Sequence, residues 1–151
     1  MRLLALALAL TACNSSSSSS RSAGGTASAI KACELLTPAE LQQAMGAPLG
    51  PGKLQTTHTQ ASCDWDGADG AVGIIIRDFD ADLWDTMSSS KYAKPVTGLG
   101  EKAYKGFPHP GVLAVKKGGY EIDVAIIDFK RDPAVVDPAV VQLMDRLLAQ
   151  L

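Results

Sequence analysis

The chain is poor in the residues that most catalytic and nucleic-acid-binding readings require. Its 151 residues include two His, three Cys and 5% aromatics. The two histidines, His58 and His109, lie far apart and form no zinc-ligand spacing. Aromatics this sparse do not build a stacking platform for single strands. With 14 Lys+Arg against 16 Asp+Glu, the formal net charge is −2, which excludes the basic footprint of a nucleic-acid binder. No apolar run approaches the roughly 20 residues needed to cross a bilayer as a helix. Gly-x-Ser-x-Gly and Ser-x-x-Lys are both absent. Gly98-Leu99-Gly100 lacks the third glycine and the strand-to-helix setting of a dinucleotide loop. The sequence therefore names no catalytic residue, no cofactor and no metal site, and an enzyme is not expected.

What is present begins at the front. Arg2 is a minimal positive end, and Leu3 to Leu10 is a signal-type apolar core. Polar low complexity follows at once, so a helix over this core would have nothing to pack against. Leu10-Thr11-Ala12-Cys13 resembles the lipobox of bacterial lipoproteins. The resemblance implies cleavage before Cys13, diacylglyceryl transfer to its thiol, and a membrane anchor there. The leader, residues 1–12, is shorter than the ~15–30 residues usual for such signals. Each buried CH₂ of an acyl chain contributes about 0.8 kcal/mol, so two or three chains anchor firmly. Removing residues 1–12 takes away Arg2 alone, and no polybasic stretch remains to attract anionic lipid.

Residues 13–29 read as the acylated Cys and a tether. Six consecutive serines, Ser15 to Ser20, precede Arg21, Gly24 and Gly25. Such a composition buries no apolar surface and stays flexible. Sixteen residues of this kind span roughly 20 Å. Asn14 is not the Asp that the lipoprotein resemblance associates with inner-membrane retention. Cell membrane and outer membrane both stay open, with the domain facing the periplasm or the exterior.

Cys33 and Cys63 remain as an even pair in an exported domain, which reads as one disulfide. Zinc would need further ligands at fixed spacing, and a redox pair more often takes the form Cys-x-x-Cys. Closing a loop of about 31 residues contributes roughly 3.5–4 kcal/mol in the chain-entropy treatment.

Residues 30–151 read as a single domain. Thr37-Pro38-Ala39-Glu40 is a capping box with Pro at the first helical position, and Leu36 and Leu41 occupy staple positions. Gly46 can end that helix. Leu54 to Trp65 reads as one extended segment, and 66–70 as a turn. Ala71 to Phe79 alternates as a strand. Asp80 can cap a short helix through Ser88. Val96 to Tyr104 reads as a turn and then a strand. Phe107 to Gly111, with two prolines, is a stiff loop. Val112 to Lys116 and Tyr120 to Phe129 flank Gly118-Gly119 as a hairpin. Ile122, Val124 and Ile126 face one way.

The last helix is expected to start at Asp137, because a start at Asp132 would place Pro138 inside at about 3 kcal/mol. Val140, Leu143, Met144, Leu147, Leu148 and Leu151 form its apolar stripe. The sum is an α+β domain: an antiparallel sheet of about five strands with N-terminal, short middle and C-terminal helices packed on one face.

Three segments invite a site reading. The segment 64–70 fails as an EF-hand loop, because Ala68, Asp69 and Ile75 stand at its fifth, sixth and twelfth places. In the acidic group Asp78, Asp80, Asp82 and Asp85, Asp80 as N-cap and Asp82 in the first turn are favoured by the helix dipole and need no ligand, with a weak surface cation site as the lesser alternative. Trp65, Trp84, Tyr104, Phe107 and His109 can line a binding face; the aromatics among them can equally fill the core, which the burial habits of such residues favour.

Cys33 to Glu40, Cys63-Asp64-Trp65, Val96 to Tyr104 and Leu113 to Gly118 together look like a set of small bacterial surface lipoproteins of unknown function, common in actinobacteria. The resemblance implies signal, acylated Cys, tether and a disulfide-bonded α+β body, and it supplies no catalytic residues. The expected partners are the membrane through Cys13, and an unknown envelope protein or small ligand. A structural or assembly lipoprotein and an enzyme with a dispersed site are the alternatives.

Overall fold

The computed structural model describes residues 26–151; the leader, Cys13 and the serine run lie outside the described residues. The backbone forms one antiparallel sheet of seven strands in the order β1-β2-β3-β7-β6-β5-β4. Their bounds are β1 Lys53–Thr56, β2 Gln60–Gly67, β3 Gly70–Asp78, β4 Lys94–Val96, β5 Lys102–Lys105, β6 Val112–Lys117 and β7 Tyr120–Asp128. Among the described residues three α-helices accompany them: α1 Pro38–Met45, α2 Ala81–Ser88 and α3 Pro133–Gln150.

The strands number seven rather than five for two local reasons. The segment from Leu54 to Trp65 is not one strand. It folds back at 57–59, where Thr57 N–H donates to the Gln60 carbonyl at 2.8 Å, and it makes the β1–β2 hairpin. On the other side, Lys94–Val96 pairs with Lys102–Lys105 across the Gly98-Leu99-Gly100 turn, which adds β4 as an edge strand.

Alternation along the strands divides the sheet into two faces. One face carries Cys63 and Trp65, then Val72, Ile74 and Ile76, then Ile122, Val124 and Ile126, then Leu113 and Val115, all buried. Cross-strand partners such as Ile74↔Val124 and Ile76↔Ile122 keep these apolar rows aligned. α1 and α3 lie on this face through Leu41, Ala44, Met45, Val140, Leu143, Met144 and Leu147. The capping box of α1 is complete: Thr37 Oγ1 accepts from Glu40 N–H at 3.3 Å, and Glu40 Oε2 accepts from Thr37 N–H at 2.8 Å. Gly46 ends the helix at φ 71°, a conformation that favours glycine.

The helices do not all share one face. α2 lies on the opposite side of the sheet, where its one buried residue, Trp84, packs with Tyr104 and Ala114. Its start follows the sequence reading, with Asp80 accepting from Leu83 N–H at 3.0 Å.

α3 also differs from expectation. It begins at Pro133 and contains Pro138. Asp137 does not cap it; its carboxylate pairs with Lys105 of β5. Pro133 takes the first helical position, where a missing N–H is no loss, and Pro138 forfeits a single intrahelical bond in the second turn.

The packed body begins earlier than residue 30. Ala27, assigned to the tether from sequence, is fully buried, and its N–H donates to Asp78 Oδ1 at 2.9 Å. Among the described residues no helix is long and apolar enough to cross a membrane.

Candidate functional site

Cys33 and Cys63 form a disulfide with Cα atoms 5.1 Å apart. Cys63 sits in the middle of β2 and is fully buried, while Cys33 lies in a short 3-10 turn, Ala32–Glu34, just before α1. The bridge therefore ties the entry to the first helix onto the sheet. Gly52 closes over it: a Cβ there would lie 2.7 Å from Cys63 Sγ and 2.6 Å from Trp65 Nε1. The loop before β1 thus depends on a residue without a side chain.

Of the five residues expected to line a binding face, Trp84, Tyr104 and Phe107 come together, while Trp65 and His109 lie elsewhere. Trp65 is buried on the face that carries α1 and α3. Trp84 and Tyr104 are buried on the opposite face, ring centroids 5.0 Å apart in an edge-on arrangement, with Phe79 at 5.9 Å from Trp84. Phe107 is half-buried against this second cluster. His109 is half-buried and lines a different groove of about 220 Å³, with Asp128 and Arg131. His58 is exposed in the β1–β2 turn. Trp84 and Tyr104 do border a shallow groove of about 390 Å³ with Pro95, Val96 and Lys102 at the β4 edge.

The sequence reading missed the most unusual ionic group. Arg77 on β3 and Glu121 on β7 are direct cross-strand partners, and Asp123 lies two residues further on the same face. Glu121 has no exposed side-chain surface, and Asp123 and Arg77 retain 13% and 20%. The Arg77 guanidinium bonds the Asp123 carboxylate, while its Nε stands 4.0 Å from Glu121 Oε1. Both Glu121 oxygens and Asp123 Oδ1 have no hydrogen-bond partner among the described residues. One cation therefore serves two buried carboxyls. Burial, then the neighbouring Asp123, pushes the Glu121 carboxyl up to about 7 against the opposing pull of Arg77. Burial also raises Asp123 and the Tyr104 hydroxyl.

The signal for this cluster was present in the alternation itself. If Ile122, Val124 and Ile126 face one way, Glu121 and Asp123 must face the other. The cluster over Tyr104 and Ala114, built from Trp84 of α2 together with Phe79 and Phe107 and with Ala114 directly opposite Asp123, turns that face from solvent into interior.

A contrasting carboxylate lies at the far end of β7. Asp128 accepts from the N–H groups of Lys130 and Arg131 at 2.8 and 2.9 Å, and it pairs with the Arg131 guanidinium. These bonds, led by the Lys130 N–H, hold its carboxyl down at about 2. Arg131 in turn donates to the Ala44 carbonyl at 2.9 Å, which fastens α1 to the end of β7. Among the described residues no group of three or more His, Cys, Asp or Glu is arranged to hold a metal ion. No protein-family model, curated protein or solved structure matches this chain.

Proposed function

We propose that the chain is a lipid-anchored cell-envelope protein whose globular domain binds an envelope partner or ligand without catalysing a reaction. The observation that carries this reading is the Cys33–Cys63 bridge, since disulfides persist in oxidising compartments outside the cytoplasm. It supports the export implied by Leu10-Thr11-Ala12-Cys13. In this reading Cys13 carries the acyl chains, and the tether holds the domain at the cell membrane or outer membrane, toward the periplasm or exterior.

The binding role rests on how the ionisable groups are disposed. The Arg77–Asp123–Glu121 cluster is closed within the domain, so Glu121 cannot touch a substrate as the fold stands. His109 and Asp128 share a groove, which is the arrangement an enzyme reading would use. Asp128 is already committed to two backbone N–H groups and Arg131, and this favours a structural role for it. A structural or assembly role in the envelope is the neighbouring alternative.

Membrane fractionation of cells expressing Cys13→Ala tests the proposal. The variant is expected in the soluble fraction; an unchanged membrane partition would reject the anchor. Crosslinking in intact cells then separates a defined partner or ligand from a diffuse assembly role.

A further inference from the structure

The β4 edge carries an arrangement that stability alone does not account for. Lys94 and Lys105 are directly opposite each other on β4 and β5. Like charges at facing positions of an antiparallel pair are destabilising. Both lysines, with Lys91, line one groove of about 410 Å³, whose other walls include Tyr92, Gly106 and Asp137. Among the described residues that line it Asp137 is the one carboxylate, and that group is bonded to Lys105. Lys91 and Lys94 have no carboxylate partner among the described residues. The groove is thus cationic in a chain whose formal charge is −2.

Tyr92 adds a second feature. It is 60% exposed, and the Lys91 ammonium stands 4.9 Å from its ring centroid. An exposed ring beside two uncompensated ammonium groups offers an apolar flank and several N–H donors to one ligand. Ammonium groups serve compact multivalent anions as point charges with three donors each. Pro95, the residue after Lys94 on β4, has no N–H to offer, so recognition at this edge falls to side chains rather than to an added strand.

We infer that this groove binds a phosphate-bearing anion, with Lys91 and Lys94 as its principal contacts and Tyr92 as its apolar flank. The inference rests on the reading of the domain as a binding module and is independent of the anchor. Phosphate can arrive on a soluble molecule or on a lipid headgroup, and the test separates the two.

The full chain carrying Cys13→Ala, so that no acyl chain reaches a bilayer, is titrated at low salt with pyrophosphate and, separately, with phosphatidylglycerol vesicles. Saturable binding is expected for at least one probe. Binding of pyrophosphate assigns a soluble source, and binding of vesicles alone assigns the headgroup. Lys91→Gln combined with Lys94→Gln should weaken that binding about tenfold or more, as expected for losing charge-assisted hydrogen bonds. Both sites are exposed, and an unchanged circular dichroism spectrum checks the fold. Lys31→Gln, at an exposed lysine paired with Glu34 elsewhere, should leave binding unchanged. Saturable binding of neither probe, or an equal loss in Lys31→Gln, overturns the inference. A chain that leaves the membrane on Cys13→Ala yet binds neither probe overturns the groove alone and leaves the anchoring intact.

Discussion

Arg77 faces Glu121 directly across β3 and β7, yet its guanidinium bonds Asp123, and its Nε remains 4.0 Å from Glu121 Oε1. Glu121 is left as a buried acid without a hydrogen-bond partner among the described residues. That relationship makes part of the fold's stability depend on pH.

The Glu121 carboxyl is raised from 4.5 to about 7, chiefly by burial. A raised carboxyl binds its proton more tightly in the folded than in the unfolded chain. Its contribution is therefore fully present below about 4.5 and is lost as pH rises through about 7. Chemical denaturation at pH 5 and pH 8 should show a loss of about 2 kcal/mol from this group. Glu121→Gln should abolish that difference; a wild type equally stable at both values would contradict it.

Removing the shared cation should be worse than removing the acid. Arg77→Met leaves Asp123 and Glu121 buried together without compensation, and a broken buried pair typically loses 3–5 kcal/mol. A loss of about 3 kcal/mol or more at pH 7 is expected in a denaturant titration. A near-neutral effect would show that solvent already reaches the two carboxyls.

α2 should be the most easily detached element. Trp84 is its one buried residue, held against Tyr104, Ala114 and Phe79. Trp84→Ala should cost about 3 kcal/mol. It should also bring the α2 amides into fast hydrogen exchange while those of β3 and β7 stay protected. Equal loss of protection across the sheet would mean that α2 is integral to the core.

Reduction of Cys33–Cys63 should lower stability by roughly 3.5–4 kcal/mol, the chain-entropy value for a loop of this length. Thiol titration of the unfolded, unreduced protein should find neither cysteine free. Two reactive thiols would contradict the bridge.

Much of the body was legible because local rules and long-range packing agree in it. Thr37 and Glu40 cap α1, Asp80 caps α2, and Gly118-Gly119 turns β6 into β7, as short-range chemistry requires. The errors arose where tertiary context decides. The β1–β2 turn over Thr57, His58 and Thr59 contains no Gly or Pro, so it read as continuous strand. Asp137 looked like a cap because Pro138 follows it, but Lys105 claims its carboxylate and α3 starts at Pro133. The Arg77–Asp123–Glu121 cluster and the facing Lys94–Lys105 pair depend on register between distant strands, which no local pattern specifies.

Mass spectrometry of the native protein's N-terminus decides whether Cys13 is the anchor. A lipid-anchored protein begins at Cys13 with a diacylglyceryl group on its sulfur. An intact leader from Met1 and a bare thiol at that cysteine would contradict it.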